Sequence, residues 1–429
     1  MIVVNLAVPA ETQSSARMSL VSATAWVSGE PFLAAPRIVE VHSDELVGRA
    51  PRWARLEVAT GVLDSLVLDW ARFQVRVDGA WIEPAPPGRS VIPVGRMLNR
   101  GDALVVNLAW FPDAVFDEDP SWRPVFEIEE IPEPPLGGRI YVSEEDEGIV
   151  SIFERVRGRM VRAIALGGRP RDMTWDPLRQ RLYVVVAGRH ELVVVDVAGR
   201  ETTRRVPLGF GADPTRLLLT QDLQRVAVVV PERDVVSFFS TASLQEIAQI
   251  RVGQFPVAIA EDVAGGKLYV SCLKSGEVYV LDASTGSVLA RFQGFESPTE
   301  LAPLESGLIA VGQDRGSRIH LIDPASGGIQ SSLRTCGSVA GLIAVERLDR
   351  LYAVDSFCSE IAVFRPRAGL EIASIRLDER VGLPALDSRA VDLILPMPDS
   401  RQVALIAVER GDVRLKFDVG GGPWRAISP

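Results

Sequence analysis

Short segments of alternating apolar and polar residues recur along most of the chain. The stretch from Lys267 to Phe292, KLYVSCLKSGEVYVLDASTGSVLARF, alternates twice and breaks at residues 274–276 and again at residues 284–286. Alternation with a period of two, bounded by glycine and serine, is typical of short antiparallel strands. The pattern therefore predicts an all-β protein.

The first motif of that stretch, of the form RLYV, occurs seven times. Its copies begin at Arg139, Arg181, Arg225, Lys267, Gly307, Arg350 and Gln402, so that successive copies are 42, 44, 42, 40, 43 and 52 residues apart. A short apolar strand precedes each copy, a second alternating strand follows it, and a third closes most units. Four strands every 40 to 45 residues is the period of propeller blades. Seven copies predict a seven-bladed β-propeller over residues 139–429.

Prolines mark the same repeat independently. Five of them stand just before the first strand of a unit, usually behind a glycine: Pro170, Pro214, Pro256, Pro298 and Pro384. The link between the fifth and sixth units has no such proline, and Cys336 stands there instead. This link is therefore expected to be stabilised differently.

The repeat resembles that of the YVTN-type seven-bladed β-propellers. Their unit joins an [RK]-L-Y-V strand, a G-x-V-x-V-[LVI]-D strand and a G-x-x-P link, and the resemblance covers roughly residues 126–429. It implies the propeller fold. It leaves the activity open, because similar propellers serve as surface proteins, interaction platforms, lactonases and cofactor-binding subunits.

Closure of the ring is predicted from the two ends of the repeat. The first unit lacks a clear inner strand, for which residues 126–131 are the nearest candidate. Residues 424–428 are expected to form the outer strand of the last unit. The first and last blades would then meet without exchanging strands.

Residues 1–120 do not follow the repeat but still alternate. In ARFQVRVDGAWIEP two strands flank Asp78 and Gly79, a pair favoured in hairpin turns. About seven such strands, each with one apolar face, predict a β-sandwich of immunoglobulin-like type. The acidic and proline-rich residues 121–138 are predicted to connect the two domains and to include the first propeller strand.

Charge and hydropathy limit the classes of partner. The 56 acidic and 46 basic residues give a net charge of −10, which opposes binding to nucleic acid. The first residues lack the features of a signal peptide, and no apolar run reaches the roughly 18 residues of a membrane helix. We therefore expect no nucleic acid partner and no membrane insertion. The expected location is the cytoplasm, or a surface structure or particle reached by a non-classical route.

Residues typical of catalytic and metal sites are few. The three histidines, His42, His190 and His320, are far apart in the sequence, so a histidine metal site is not expected. All asparagines lie outside the propeller, a departure from the lactonase propellers, which hold a divalent cation with carboxylates, asparagine and histidine. Residues 144–147 form an acidic loop that is either a Ca²⁺ site or a solvated turn. We predict no enzymatic activity and no cofactor.

Three further features have ordinary structural interpretations. The inner strands carry only Asp172, Glu261 and Glu300 as acidic candidates for a channel floor. The tripeptide at residues 100–102, RGD, is interpreted as a turn before a strand. The glycines at 420–422 lack the Lys-Ser/Thr and the helix of a phosphate loop, and are interpreted as a turn.

The three cysteines differ in their setting. Cys272 follows a KLYV motif and is predicted to be a buried apolar residue. Cys336 and Cys358 are predicted to lie on one face of the same blade, where a disulfide would replace the missing proline. Two unrelated thiols remain the alternative, because cytosolic thiols stay reduced.

The sequence favours a non-enzymatic structural or protein-binding component of a larger assembly, such as a cell surface, appendage or virion. The sandwich would dock and the propeller would be displayed, with other proteins or copies of the same chain as partners. The alternatives are an intracellular protein-interaction platform and a lactonase-like metal-dependent hydrolase. The predicted binding face comprises the links between blades and the second turn of each blade. Its candidate residues are Arg169, Arg171, Arg189, His190, Arg233, Lys274, Arg315, Phe357 and Glu409.

Overall fold

The fold is all-β, as the alternating pattern predicts. A computed structural model describes residues 1–34, 38–47, 49–83, 86–99, 102–115, 123–197, 201–262, 264, 266–377 and 379–429. The chain forms two compact units. Unit 1 comprises Met1–Arg139, Val150–Ala165 and Phe417–Gly420, and unit 2 comprises Ile140–Ile149, Leu166–Lys416 and Gly421–Pro429.

Ten strands and one short helix precede the repeat among the described residues. They are β1 (Ile2–Ala7), β2 (Ala16–Val27), β3 (Glu30–Leu33), β4 (Val39–His42), α1 (Ser43–Leu46), β5 (Arg52–Leu56), β6 (Gly61–Val77), β7 (Ala80–Ile82), β8 (Gly88–Leu98), β9 (Asp102–Trp110) and β10 (Phe126–Ile128). Four 3₁₀ turns occur among the described residues, at Asp113–Val115, Leu136–Gly138, Pro231–Arg233 and Glu346–Leu348.

The repeat contributes the remaining strands. They are β11 (Arg139–Glu144), β12 (Ile149–Glu154), β13 (Met160–Ala165), β14 (Arg169–Asp176), β15 (Arg181–Ala187), β16 (Glu191–Asp196), β17 (Glu201–Pro207), β18 (Arg216–Leu219), β19 (Arg225–Val230), β20 (Val235–Ser240), β21 (Glu246–Arg251), β22 (Pro256–Glu261), β23 (Lys267–Cys272), β24 (Glu277–Asp282), β25 (Val288–Gln293), β26 (Pro298–Pro303), β27 (Ile309–Gln313), β28 (Arg318–Ile322), β29 (Ile329–Arg334), β30 (Val339–Val345), β31 (Arg350–Asp355), β32 (Glu360–Arg365), β33 (Leu370–Arg376), β34 (Ala385–Leu386), β35 (Asp392–Met397), β36 (Gln402–Ala407), β37 (Val413–Asp418) and β38 (Pro423–Ile427).

Unit 1 contains strands of two sheets around one core. One sheet has the order β3-β2-β6-β7, with β4 paired to β2 and β8 paired to β6. In the other, β1 lies between β5 and β9, and both β10 and β13 pair with β9. Leu66 and Trp70 from the first sheet and Val4 and Trp110 from the second belong to the same cluster of buried side chains. Burial of these faces holds the two sheets together.

Two of these pairings differ from the sequence prediction. Residues 126–131 do not supply the inner strand of the first blade, because β10 pairs antiparallel with β9, placing Phe126 opposite Trp110. Strand β13 lies beside β12, as predicted for the strand that closes the first unit, but it also pairs with β9. Local alternation identified β10 and β13 as strands but not their pairing with β9, because it says nothing about which edge a strand joins.

Unit 2 contains most of the strands of the blades. Among its described residues, six sheets have four antiparallel strands each in sequence order, from β14-β15-β16-β17 to β34-β35-β36-β37. The two middle strands are buried on both faces, as in β15 and β19, whereas outer strands such as β21 and β33 are largely exposed. Cores form between neighbouring blades: one cluster joins Val185 and Val194 of one sheet to Val228 and Phe239 of the next.

The ring closes through the C-terminal strand. Strand β38 pairs antiparallel with β11, with Tyr141 opposite Ile427 and Val142 opposite Ala426. It is therefore the inner strand beside the first RLYV motif and not the outer strand of the last blade, so the prediction of closure without strand exchange is wrong. Such an exchange joins the two ends of the repeat by backbone hydrogen bonds.

The last blade also shows why one interval in the sequence is too long. Gln402 begins β36, the third strand of its sheet, whereas the second strand, β35, begins at Asp392. Arg350 begins the second strand of the preceding blade, and Asp392 follows it by 42 residues. Counted between equivalent strands, the interval of 52 residues becomes as regular as the others.

Candidate binding face and central channel

The links between blades and the turns between second and third strands are hydrogen-bonded to one another. We call this surface of unit 2 the link face. The amide of Leu208, in the link after the second blade, donates to the carbonyl of His190 at 2.8 Å. The amide of Phe255, in the next link, donates to Asp234 Oδ1 at 2.9 Å, and its carbonyl accepts the amide of Leu273 at 2.9 Å. Such hydrogen bonds join the links to neighbouring turns, so the loops of the link face are held in fixed positions.

Eight of the nine predicted face residues lie on the link face. They are Arg169 and Arg171 at the start of β14, Arg189, His190, Arg233, Lys274 and Arg315 in second turns, and Phe357 in the second turn of the sixth blade. Glu409 does not belong with them. It follows β36, between the third and fourth strands of the last blade, and pairs with Arg347 at 2.9 Å on the opposite face. Glu409 was misplaced because the sequence motif at Gln402 was taken as the second strand of the last blade, whereas it is the third.

Phe210 is the most exposed large apolar side chain among the described residues, at 99%. It stands between Gly209 and Gly211, whose φ angles of +90° and +75° suit glycine. The loop around it is fixed, because His190 Nδ1 accepts the amide of Asp213 at 3.1 Å. Sequence reasoning missed Phe210, although an aromatic residue between two glycines in an interblade link is a usable signal.

Four cations occupy the second turns of four consecutive blades: Arg189, Arg233, Lys274 and Arg315. Arg233 Nη1 donates to the carbonyl of Leu208 at 2.9 Å. The Lys274 ammonium lies over the Phe255 ring, 4.1 Å from its centroid, a cation–π contact. Arg171 differs from these four, because its Nε lies 2.7 Å from Glu145 Oε1.

The fifth interblade link is covalently tied to the turn beside it. The structure joins Cys336 and Cys358 in a disulfide, with Cα atoms 6.1 Å apart. Buried Asp355 accepts the amides of Phe357 at 2.9 Å and Cys358 at 3.1 Å, and also that of Gly337. Phe357 is left 82% exposed on this braced loop.

The acidic loop at residues 144–147 and the glycine turn at 420–422 are partners. Glu144 is fully buried, and its Oε2 accepts the amide of Gly421 at 2.7 Å. Asp146 Oδ2 accepts the amide of Gly422 at 3.2 Å. A Cβ atom on Gly421 would lie 2.5 Å from Glu147 Cγ, so a larger residue there would require the Glu147 side chain to move. The carboxylates therefore hold the turn that leads into β38, and within the described ranges no group of three or more His, Cys, Asp or Glu side chains is arranged to hold a metal.

A central cavity of about 360 Å³ is lined by all seven inner strands of the described ring. Two ion pairs lie in it. Arg216 pairs with Glu300 of a blade two positions further on, and Arg425 Nε lies 3.2 Å from Asp172 Oδ1. Asp172 Oδ2 also accepts the amide of Leu217 at 3.0 Å. The four charges sum to zero within the channel.

The sequence located two of these four groups. Asp172 and Glu300 line the cavity as the inner-strand prediction implied, whereas Glu261 is not among its lining residues. Glu261 instead accepts the amide of Gln221 at 2.7 Å, and its pKa is raised by burial. Arg425 was missed because its strand was assigned to the outside of the last blade.

The remaining candidates are dispersed. His190 belongs to the link face, His42 ends β4 in unit 1, and His320 Nδ1 lies 2.7 Å from Ser332 Oγ, with its pKa lowered by burial. Cys272 is fully buried, as predicted, and burial raises the pKa of its thiol to about 12. Two residues of the RGD tripeptide lie outside the described residues.

Comparison with known proteins supports the fold. No protein-family model matches the sequence, and no curated protein matches it. Hydrazine synthase from Kuenenia stuttgartiensis is similar in structure with a TM-score of 0.52 and 17% identity, over 59% of this chain and 87% of that one. A functionally unknown protein from Desulfotomaculum acetoxidans DSM 771 has a TM-score of 0.57 and 16% identity, over 68% of this chain and 99% of that one. At these identities the likeness supports the β-propeller fold and says nothing about activity.

Helices contribute little to the structure. In the part of the chain that the structure describes, no helix is long and apolar enough to cross a membrane.

Proposed function

We propose that this chain is a non-enzymatic protein-binding component of a larger assembly, and that the link face of its propeller is the binding surface. The observation that carries this proposal is Phe210, which is 99% exposed on a hydrogen-bonded loop. Covering a phenylalanine side chain contributes about 1.5–3 kcal/mol. Aromatic residues on a fixed loop are typical anchors of protein interfaces.

The way the loop is held supports the same role. Before Phe210 the amide of Leu208 donates to the carbonyl of His190 at 2.8 Å, and after it Asp213 Oδ1 accepts the amide of Gly188 at 2.9 Å, so both sides of the loop are tied to the neighbouring turn. A loop that is already ordered loses little conformational entropy on binding. Phe357 is presented similarly beside the Cys336–Cys358 bridge.

The channel supports a non-enzymatic role less directly. Its carboxylates, Asp172 and Glu300, are each engaged by an arginine. A general base must be within hydrogen-bond reach of the proton that it abstracts, and each of these carboxylates already holds an arginine across the channel.

We also propose that the propeller is of YVTN type and that unit 1 is an immunoglobulin-like sandwich that docks the chain into its assembly. Native purification separates the two settings: a lattice or particle with many copies favours a surface or virion component, and a small soluble complex favours an intracellular platform.

A pair of matched variants tests the binding surface. Phe210→Ala removes the exposed ring on the link face, and Leu178→Ala removes a side chain that is 67% exposed in the turn after β14 on the opposite face. Full-length chains are used to capture proteins from the native cell extract, which are quantified by mass spectrometry. We expect Phe210→Ala to reduce capture of specific partners about tenfold, equivalent to about 1.4 kcal/mol. Equal capture by wild type and Phe210→Ala, with a loss only in Leu178→Ala, would place binding on the other face.

A further inference from the structure

The central cavity combines an apolar wall with a small number of charged groups. Its apolar lining comes from six of the seven described inner strands and includes Leu218, Ile259, Leu342, Ile343 and Ile427. A volume of about 360 Å³ falls in the range of small-molecule sites, which are mostly apolar with a few polar groups that orient the ligand. The cavity is therefore large enough and varied enough to bind a small metabolite.

The ion pair between Arg216 and Glu300 has unused hydrogen-bonding capacity. The pair joins Arg216 Nη2 to Glu300 Oε1, and both side chains are more than four-fifths buried. Within the described residues, neither Arg216 Nη1 nor Glu300 Oε2 has another protein partner. A guanidinium has five donors and a carboxylate has about four acceptor positions. Arg216 can therefore donate to, and Glu300 can accept from, a further partner in the cavity.

The net charge of the cavity limits what can bind there. Asp172, Glu300, Arg216 and Arg425 sum to zero. A ligand with a net charge would add an uncompensated charge in a partly buried site, which is costly. A zwitterion adds none, and it offers a carboxylate to a guanidinium and an ammonium to a carboxylate.

We propose that the channel binds a small zwitterion with an aliphatic side chain, of the α-amino acid class, at the Arg216–Glu300 pair. The ligand carboxylate accepts from the free Arg216 donors, and the ligand ammonium donates to Glu300 Oε2. The aliphatic side chain packs on the leucine and isoleucine wall. This site is separate from the link face and does not depend on the function proposed for that face.

Three probes of one shape distinguish the ligand classes. The full chain is titrated with leucine, 4-methylpentanoate and 3-methylbutylamine. Leucine carries both charged groups, 4-methylpentanoate carries only the carboxylate, and 3-methylbutylamine carries only the ammonium. We expect saturable heat of binding and a rise in Tm with leucine, at an affinity at least about tenfold higher than for either singly charged probe. Absence of leucine binding up to 20 mM, or equal binding of the acid or the amine, would overturn the proposal.

Variants locate the site. Glu300→Gln removes the negative charge that attracts the ammonium, so we expect leucine affinity to fall about tenfold or more and the preference over 4-methylpentanoate to disappear. Because this variant leaves Arg216 partly buried without its partner, the double variant Arg216→Gln/Glu300→Gln keeps the cavity neutral, and its folding is checked by its melting curve. Glu409→Gln alters an ion pair outside the channel and is expected to bind leucine like the wild type. Unchanged leucine binding in the folded double variant would also overturn the proposal.

Discussion

The second to seventh blades and the first blade reach the same architecture by different routes. Each of the continuous blades is one stretch of chain, with four strands in sequence order. In the first blade, β11 pairs with β38 from the far end of the chain. Ser143 Oγ accepts the amide of Arg425 at 3.0 Å across 282 residues, and Glu144 accepts that of Gly421 across 277 residues.

The difference shows where long-range specificity is needed. Within a continuous blade, short turns place the strands together and the entropy of loop closure is small. The closing strand β38 has no short turn that brings it to β11, and side-chain hydrogen-bond acceptors hold it in place. Glu144 and Asp146 accept amides of the glycine turn, and Ser143 accepts an amide of β38 itself. Both proposed sites depend on this closure, because Arg425 lines the channel and residues 144–147 form part of the link face.

The largest effect is expected from removing the closing strand. A chain that ends at Gly422 lacks β38 and leaves β11 with an unpaired edge and Tyr141 uncovered. We expect the free energy of unfolding to fall by about 5 kcal/mol or more, a large part of the stability of an ordinary domain. Urea unfolding followed by circular dichroism measures it.

A conservative change in the same strand serves as the control. Ile427→Val keeps β38 and is expected to cost about 0.5–1.5 kcal/mol. A truncated chain that unfolds at the same urea concentration as this variant would mean that the ring is held together without its C-terminal strand.

The sequence predicted the continuous blades far better than the closed one. The RLYV copies, the link prolines and the proximity of Cys336 to Cys358 all follow from local spacing, which repeats within each blade. Pairing between β38 and β11 has no local signal, since Trp424 and Phe126 both begin short alternating segments of similar character. The residues of the link face were placed correctly where the strand positions were predicted correctly. Glu409 was misplaced because the strands of the last blade were predicted one position out of order.

The disulfide tests how a continuous blade is braced where its link proline is missing. Cys336→Ser/Cys358→Ser opens a covalent loop with a sequence separation of 22 residues. In the chain-entropy model we expect a loss of about 3 kcal/mol. Denaturation with and without a thiol reductant measures it, and the reductant should have no effect on the double variant.

The state of the bridge in the natural protein is checked separately. Digestion of natively isolated protein without reduction should yield one peptide pair linked through Cys336 and Cys358. Recovery of both as free, alkylatable thiols would mean that hydrogen bonds, such as those to Asp355 and to the carbonyl of Ser338, hold this link to its turn without a covalent bond.

A smaller effect is expected from a single closing contact. Glu144→Ala leaves the buried amide of Gly421 without its acceptor, which costs about 1–3 kcal/mol. Glu232→Ala is the matched control, because Glu232 occupies the second turn of a continuous blade and is exposed; it should change stability by less than about 0.5 kcal/mol. Equal effects of the two variants in urea unfolding would remove the distinction between the closing blade and the others.

Hydrogen exchange of the closing strand tests the central claim, that one ring closed by its own C-terminal strand supports both the link face and the channel. Peptides covering residues 423–429 of the full chain are followed by mass spectrometry and compared with peptides from β14, a continuous inner strand. We predict that β38 amides exchange as slowly as those of β14, because both lie inside the same cooperative ring. Exchange of residues 423–427 within seconds, as for an unpaired terminus, would contradict the closure and with it the assignment of Arg425 to the channel.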